Sequence, residues 1–240
     1  MTRDLEAHLQ RQIDRSTDFF WHRLRWDVVS GYLPGGTFQL VDIGAGAGVL
    51  GHFLGRDRPE ARYRFIEPIT SLEQHLEKIY GADANTAGKT SFEGIGYVTL
   101  LDVLEHQEDD RAFLEDLASK MRPGALLLMT VPALQRLWSG WDVALGHHRR
   151  YSRESLLEVL DGLPFEMIEA SYLFPELVPA AKVRSMRRKA VEGEVEESTA
   201  FPDLPAPLNG LLYRIGRASM RRRNRWRRGT SLFTALRRTE

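Results

Sequence analysis

A glycine-rich stretch near the start of the chain constrains its fold more than any other feature of the sequence. The stretch VDIGAGAGVLG, residues 41–51, ends the apolar run TFQLVDI and leads into AGVLGHFLGRD, a predicted helix. Small residues between a strand and a helix let a ligand approach the main chain and the helix N-terminus. The stretch therefore predicts a cofactor site at the end of a buried strand.

The rest of the chain alternates between short apolar runs and amphipathic segments. This alternation predicts a parallel sheet with helices on both faces, in which ligands bind beyond the carboxyl ends of the strands. The predicted strands are residues 37–43, 61–68, 95–103, 125–132, 165–174 and 230–238, and the main predicted helices are residues 71–80, 109–121 and 152–163. Residues 81–94, GADANTAGKTSFEG, have turn chemistry and almost no core-forming residues.

The composition is that of an ordinary globular protein, with 42% hydrophobic and 28% charged residues in 240. The sequence contains no cysteine, which excludes disulfides, thiolate zinc sites and a cysteine nucleophile and suits a reducing compartment. The polar stretch MTRDLEAHLQRQIDRSTDFF does not resemble a signal peptide. No apolar run approaches the roughly 18 residues that a membrane-spanning helix needs. We therefore expect a cytoplasmic protein.

The glycine-rich stretch fits two cofactor patterns. Gly46, Gly48 and Gly51 form G-x-G-x-x-G, the dinucleotide pattern, whereas Asp42, Gly44 and Gly46 form D-x-G-x-G, a pattern of S-adenosylmethionine sites. A carboxylate directly before the loop would repel a pyrophosphate. The same carboxylate would attract the ammonium and sulfonium groups of S-adenosylmethionine. The acid, rather than the glycines, favours the second pattern.

Two further acids lie at predicted strand ends. Glu67 ends the second strand, where a carboxylate can accept hydrogen bonds from the ribose hydroxyls of either cofactor. Asp102 ends the strand at 95–103, within LLDVLEHQEDD. Three carboxylates around one crevice predict a cationic cofactor, S-adenosylmethionine. An NAD(P)-dependent oxidoreductase is the alternative.

The ordered motifs VDIGAGAG, IEP, LLDVLEHQEDD and RPGALLLMTVP resemble those of class I S-adenosylmethionine-dependent methyltransferases. The chain is similar to the small-molecule group that carries D-V-L-E-H, such as ubiquinone-pathway O-methyltransferases. The resemblance implies a Rossmann-like, doubly wound α/β sheet, mostly parallel with an antiparallel last strand. We divide the chain into a helical cap (1–36), a cofactor-binding core (37–175), a basic insertion (176–229) and a last strand (230–240).

The resemblance also implies which residues bind the cofactor. They are Asp42, Gly44, Ala45, Gly46, Glu67, Asp83, Leu101, Asp102 and Val103. The first four would line the methionine moiety, and Glu67 the ribose. The third strand of the family, which ends near an acid that contacts adenine, has no apolar run here, so Asp83 is the candidate in its place.

Methyl transfer from a sulfonium needs a positioned nucleophile and, for a hydroxyl or ammonium acceptor, a base. His106 is the predicted base, and the alternative is that it only orders its loop. The sequence shows no cluster of metal ligands, so no metal site is predicted. Aromatic and basic residues in LWSGWDVALGHHRRYS, residues 137–152, indicate a lid that binds an anionic acceptor. The predicted substrate contacts are Trp138, His147, Arg150 and Tyr151.

The formal net charge of zero hides a basic C-terminal part. Residues 182–240 contain 15 lysines and arginines and 6 acids. Leu208, Leu211, Leu212 and Ile215 recur at helical spacing before an arginine run, which predicts an amphipathic helix. This segment could be a solvated basic face, or could contact an anionic membrane or a lipid-linked phosphate substrate. Nucleic-acid binding is less favoured because no RNA-binding module is present.

The predicted function is methyl transfer from S-adenosylmethionine to an oxygen or nitrogen of a small molecule, which is anionic or lipid-linked in one interpretation. The basic segment adds the expectation of a peripheral position at the inner membrane face. A non-catalytic S-adenosylmethionine-binding partner is a further alternative.

Overall fold

The computed structural model describes residues 17–190 and 204–240, in which six strands form one sheet of order β2-β1-β3-β4-β6-β5. The strands are β1 (Gln39–Ile43), β2 (Arg62–Ile66), β3 (Tyr97–Leu101), β4 (Leu126–Pro132), β5 (Phe165–Leu173) and β6 (Ser231–Arg238). The helices are α1 (Phe20–Ser30), α2 (Val49–Asp57), α3 (Thr70–Tyr80), α4 (Asp110–Lys120), α5 (Gly140–Ala144), α6 (Arg153–Leu160), α7 (Val178–Ala190) and α8 (Ala206–Met220).

The sheet is mixed. Strands β1 to β4 run parallel, and β6 lies antiparallel between β4 and β5. The predicted Rossmann-like sheet, mostly parallel with an antiparallel last strand, is confirmed. Its central strands are nearly continuous apolar runs because helices cover both of their faces. Adjacent residues of β1 show this: Leu40 packs into the cluster on one face and Val41 into the cluster on the other, and both are fully buried.

The sheet ends at β2, where the family pattern places one more strand. Only Asn85 forms a bridge with Phe65, and the backbone N–H of Thr86 donates to the Phe65 carbonyl over 2.9 Å. A short 3-10 turn, Ala82–Ala84, replaces the rest of the strand. Residues 81–94 lack the apolar side chains that would bury an edge strand. The strand of the family pattern that lacks an apolar run here is therefore reduced to a single bridge at this edge of the sheet.

The helices pack in two layers. Leu114 of α4 and Leu156 of α6 lie in the cluster on one face of the sheet, and Leu24 of α1 and Phe53 of α2 lie in the cluster on the other. Burying an apolar side chain of this size contributes about 1.5–3 kcal/mol. The two layers hold the ends of the parallel strands in fixed positions.

The predicted N-terminal cap and the predicted basic insertion meet through α1 and α8. The backbone N–H of Phe20 donates to Asn209 Oδ1 over 2.9 Å. Gly216 lies against Leu24 so closely that a Cβ atom there would be 2.2 Å from Leu24 Cδ1. Residues 1–16 of the predicted cap and 191–203 of the predicted insertion lie outside the described residues. Within the part that is described, no helix is long and apolar enough to cross a membrane.

Candidate functional site

A cavity of about 870 Å³ opens at the carboxyl ends of the parallel strands. The ends of β1 and β3 and the glycine loop line one part of it, at residues such as Asp42, Gly44 and Val103. Helices α1 and α7 line another part, at residues such as Trp21 and Ala181. The cavity therefore lies where open α/β sheets bind ligands, and segments outside the sheet enclose it.

The glycines of the loop serve two different purposes. Gly44, Gly46 and Gly48 have φ angles of 69°, 56° and 75°, a backbone region that favours glycine. Gly51 lies in α2, where a Cβ atom would be 2.6 Å from Tyr80 Oη. The first three therefore shape the turn, and the fourth lets α2 pack closely. Since packing and backbone geometry account for all four, the glycines alone do not identify the cofactor.

Two buried acids face the loop. Asp42, at 3% exposure, accepts hydrogen bonds from Thr99 Oγ1 at 2.7 Å and Tyr63 Oη at 3.1 Å. Burial raises the pKa of Asp42 to about 6. Glu67 accepts from the backbone N–H groups of Gly46 at 2.7 Å and Ile69 at 2.9 Å, and burial raises its pKa. A cationic ligand stabilises the ionised form of buried carboxylates of this kind, because it compensates for their negative charge.

A third acid, Asp102, is held at the end of β3 in an unusual conformation. Its φ of 61° is rare for a non-glycine residue. Thr130 Oγ1 donates to Asp102 Oδ1 over 3.1 Å, and Arg25 Nη1 of α1 lies 2.9 Å from Oδ2. Strained backbone at a cavity rim is typical of residues that position a ligand. The pair also fixes α1 to the cavity.

Two histidines and a glutamate meet beside Asp102. The rings of His106 and His147 pack edge to face with centroids 4.9 Å apart. Burial and the neighbouring His147 lower the pKa of His106 to about 4, so the imidazole is neutral near pH 7. Glu105 is fully buried, and its Oε1 lies 3.9 Å from His147 Nε2. Burial and Asp102 raise the pKa of Glu105 well above its ordinary value.

Asp142 organises the loop that carries His147. His147 Nδ1 lies 3.0 Å from Asp142 Oδ1, and Arg150 donates to both carboxylate oxygens, over 2.7 Å and 3.0 Å. The backbone N–H of Ser139 donates to Oδ2 over 2.8 Å. Burial alone would raise the pKa of Asp142, but these donors hold it below the ordinary range. The carboxylate therefore fixes the orientation of the His147 ring.

Most of the predicted site residues line the cavity. They are Asp42, Gly44, Ala45, Gly46, Glu67, Leu101, Asp102, Val103, His106, His147 and Arg150. Arg150 faces the cavity while it is engaged by Asp142.

Three predicted contacts, Asp83, Trp138 and Tyr151, do not line the cavity. Asp83 is exposed on the 3-10 turn that replaces the missing strand. Trp138 is half-buried in the loop outside the cavity. Tyr151, at 1% exposure, belongs to the core, where its hydroxyl donates to Asp110 Oδ2 over 2.8 Å. A tyrosine beside two arginines has the pattern of a surface loop, and only its distant partner shows otherwise.

Several cavity residues were not predicted from the sequence. They come mainly from α1 and α7, as with Trp21, Arg25 and Arg184; Trp141 on α5 belongs to the predicted lid but was not among the predicted contacts. The guanidinium of Arg184 lies 4.8 Å from the centroid of the Trp141 ring. No local signal separates these residues from surface positions, because they reach the cavity only through tertiary packing.

A family model described as a methyltransferase domain matches residues 5–170. The chain belongs to the methyltransferase domain family. No curated protein sequence matches it. Solved structures with a similar fold include the Haloferax volcanii complex of the Trm112 methyltransferase activator with a candidate methyltransferase. That similarity has a TM-score of 0.62 at 13% identity and covers 100% of this chain and 99% of the other.

Two further methyltransferases of similar fold have phosphorylated compounds in their names. Phosphoethanolamine N-methyltransferase 2 of Haemonchus contortus, with bound S-adenosyl-L-methionine, has a TM-score of 0.59 at 13% identity and covers 97% of this chain and 60% of the other. Geranyl diphosphate C-methyltransferase of Streptomyces coelicolor A3(2) has a TM-score of 0.55 at 10% identity and covers 90% of this chain and 79% of the other.

The cofactor of this methyltransferase domain is S-adenosyl-L-methionine. The residues of the cavity fit it. The loop at Gly44 and Gly46 presents main chain without side chains, and Asp42 and Glu67 are buried acids beside it. The bound cofactor supplies an activated methyl group, and the acids would hold its cationic and hydroxyl groups.

We expect the affinity for S-adenosylmethionine to fall as the pH drops from 7 to 5. Protonation of Asp42, whose pKa is about 6, removes the negative charge that attracts the cofactor. If only the ionised form binds, the apparent Kd rises by up to about tenfold at pH 5. Calorimetric titration across this range measures the effect, and Asp42→Asn should bind more weakly with a flatter pH profile. A Kd for the wild type that does not change between pH 7 and 5 would contradict the role of Asp42.

Proposed function

We propose that this methyltransferase domain is catalytically active and transfers the methyl group of S-adenosylmethionine to an oxygen or nitrogen of a small, anionic acceptor. One observation supports the proposal above others: the cavity continues from the acidic cofactor region into a region lined by His106, His147, Trp141 and Arg184. An acceptor bound there would lie between the cofactor region and the guanidinium of Arg184.

Methyl transfer is an in-line displacement, so positioning of the acceptor provides much of the catalysis. A hydroxyl or ammonium acceptor must also lose a proton. We propose that the histidine pair, His106 and His147, enables this loss. His106 is neutral near pH 7 because of its lowered pKa, and His147 is oriented by Asp142. A neutral imidazole can accept a proton and pass it on, and the low pKa of His106 means that it would relay the proton rather than retain it.

Arg184 supports an anionic acceptor. Its side chain is exposed at the cavity, and its guanidinium lies over the Trp141 ring. Among the described contacts of Arg184, no carboxylate pairs with the guanidinium. Guanidinium groups bind phosphates and carboxylates in bidentate geometry. Two methyltransferases of similar fold are named for phosphorylated compounds, which supports an acceptor of this class here.

The exposed surfaces of α7 and α8 support a lipid-linked acceptor. Exposed apolar side chains lie on α7 and α8, at Val183, Met186, Leu208, Leu211 and Ile215. Other residues of these two helices, such as Ala181 and Leu212, line the cavity. Apolar side chains interspersed with arginines can bind an anionic membrane surface. A peripheral position on such a membrane would bring a lipid-linked acceptor to the cavity.

Label transfer from methyl-labelled S-adenosylmethionine tests the proposal. The acceptors are hydroxyl- and amino-bearing compounds in matched pairs, with and without a phosphate, either in solution or lipid-linked in phosphatidylglycerol vesicles. We expect several-fold more transfer to the phosphorylated members, and more again from vesicles. Arg184→Gln should reduce the preference for phosphate, whereas Arg237→Gln should not, because Arg237 pairs with Glu166 on the exposed sheet edge.

Each part of the proposal has an outcome against it. Binding of S-adenosylmethionine without any turnover would favour the non-catalytic alternative. Equal transfer to phosphorylated and neutral acceptors would exclude the anion preference. Equal transfer from phosphatidylglycerol and phosphatidylcholine vesicles would exclude the contact with an anionic membrane.

A further inference from the structure

We propose that Glu105, His106 and His147 form a binding site for a divalent first-row transition metal. One donor atom from each residue lies within 4.8 Å of the others. Metal–nitrogen bonds of about 2.1 Å require the three donor atoms to lie somewhat closer together. Side-chain rotations that move each donor atom by about 1 Å would bring them there. Two histidines and one carboxylate form a donor set that binds such metals and leaves coordination positions open.

The state of Glu105 is the first reason for a cation here. Its side chain is fully buried, and neither carboxylate oxygen has a hydrogen-bond partner among the described residues. A buried carboxyl group without a hydrogen-bond partner is costly, and native proteins rarely leave one without a donor or a cation. Residues of the opposite charge nearby are already engaged: Arg25 pairs with Asp102, and Arg150 pairs with Asp142. The unsatisfied oxygens belong to a residue that lines the cavity.

The hydrogen bonds of the histidines are the second reason. His147 Nδ1 donates to Asp142 Oδ1 over 3.0 Å, which directs Nε2 toward Glu105, where it lies 3.9 Å from Oε1. His106 Nδ1 lies 3.4 Å from the Gly146 carbonyl, which can only accept, so the lone pair of His106 is on Nε2. A carboxylate that holds the far nitrogen of a histidine is the usual second contact of a metal-binding imidazole.

The two histidines come from different elements, which explains why the sequence predicted no metal site. His106 ends a 3-10 turn after β3, and His147 follows α5. The hydrogen bonds between Asp142 and Arg150 hold the second loop in place, so the three ligands converge.

A cation at this position would also change the role of the histidine pair. It would stabilise the anionic form of an acceptor hydroxyl, which the transferred methyl group requires. The acceptor proton would then pass to solvent water, because histidines that hold the cation through Nε2 could not accept it. This role rests on the proposed function, but metal binding itself does not.

Titration of the metal-free, full-length protein with CoCl₂ tests the site, because visible absorption reports cobalt bound to nitrogen and oxygen ligands. We expect one cobalt per chain in the wild type. Glu105→Gln and His147→Ala should each weaken binding by at least about tenfold. His52→Ala is the matched control, because His52 is exposed on α2 and does not line the cavity, and this variant should bind cobalt as the wild type does.

Binding of S-adenosylhomocysteine checks that each variant is folded, and the two ligand variants keep the test valid if one of them fails to fold. Equal cobalt binding by the wild type and a folded ligand variant, or none by the wild type, would overturn the inference. No acceptor is present in this titration. Methyl transfer is measured separately, in the label-transfer experiment. If cobalt binds but no methyl group is transferred there, the metal site stands and the proposed function fails. If methyl groups are transferred but cobalt does not bind, the proposed function stands and the metal site fails.

Discussion

Replacing Asp142 with alanine is expected to lower the free energy of unfolding by about 3–5 kcal/mol, the cost of removing one partner from a buried ion pair. Asp142 is fully buried, and the side chain of Arg150 is only 11% exposed. Without the carboxylate, the guanidinium loses both of its charge-assisted hydrogen bonds. The backbone N–H of Ser139, the N-cap residue of α5, loses its acceptor as well.

Urea denaturation of the wild type and Asp142→Ala measures this change. The matched control is Asp116→Ala, since Asp116 is 61% exposed and pairs with Lys120 on the surface of α4. Exposed pairs of this kind contribute about 0.3–0.5 kcal/mol. If the two variants lose similar amounts of stability, the ion pair between Asp142 and Arg150 does not stabilise the loop more than a surface pair would.

The strands and helices of the core were predictable because their signals are local. Apolar runs such as ALLLMTVP, residues 125–132, can be buried on both faces only in a central strand, and β4 forms there. The missing edge strand was also visible, because residues 81–94 contain too few apolar side chains. In both cases the composition of a single segment determines its structure.

The cofactor half of the site was predictable for the same reason. Its residues follow strand ends, and parallel strands bring their carboxyl ends together. The acceptor half depends on contacts between distant segments, such as Arg184 with Trp141 and His147 with Glu105. Tyr151 shows the limit most clearly, because its partner Asp110 lies at the start of α4.

Replacing Gly44 with alanine is expected to weaken binding of S-adenosylhomocysteine by about 10- to 100-fold, which corresponds to about 1.4–2.8 kcal/mol. Gly44 has a φ of 69°, and a Cβ atom on it would lie 2.6 Å from Val103 Cγ2. Both residues line the cavity, so relief of this contact must move the loop or the end of β3. The left-handed backbone adds a cost of about 1–2 kcal/mol for any residue with a Cβ atom.

Calorimetric titration with S-adenosylhomocysteine measures the loss, and Gly55→Ala is the control. Gly55 lies in α2 with no atom within 4 Å of the position of a Cβ, so alanine there should stabilise the helix by up to about 1 kcal/mol without changing the affinity. Val103→Ala combined with Gly44→Ala separates the two causes. Recovery of affinity in the double variant would assign the loss to the contact with Val103, and no recovery would assign it to the backbone. Wild-type affinity in Gly44→Ala would mean that the cofactor does not depend on the shape of this loop.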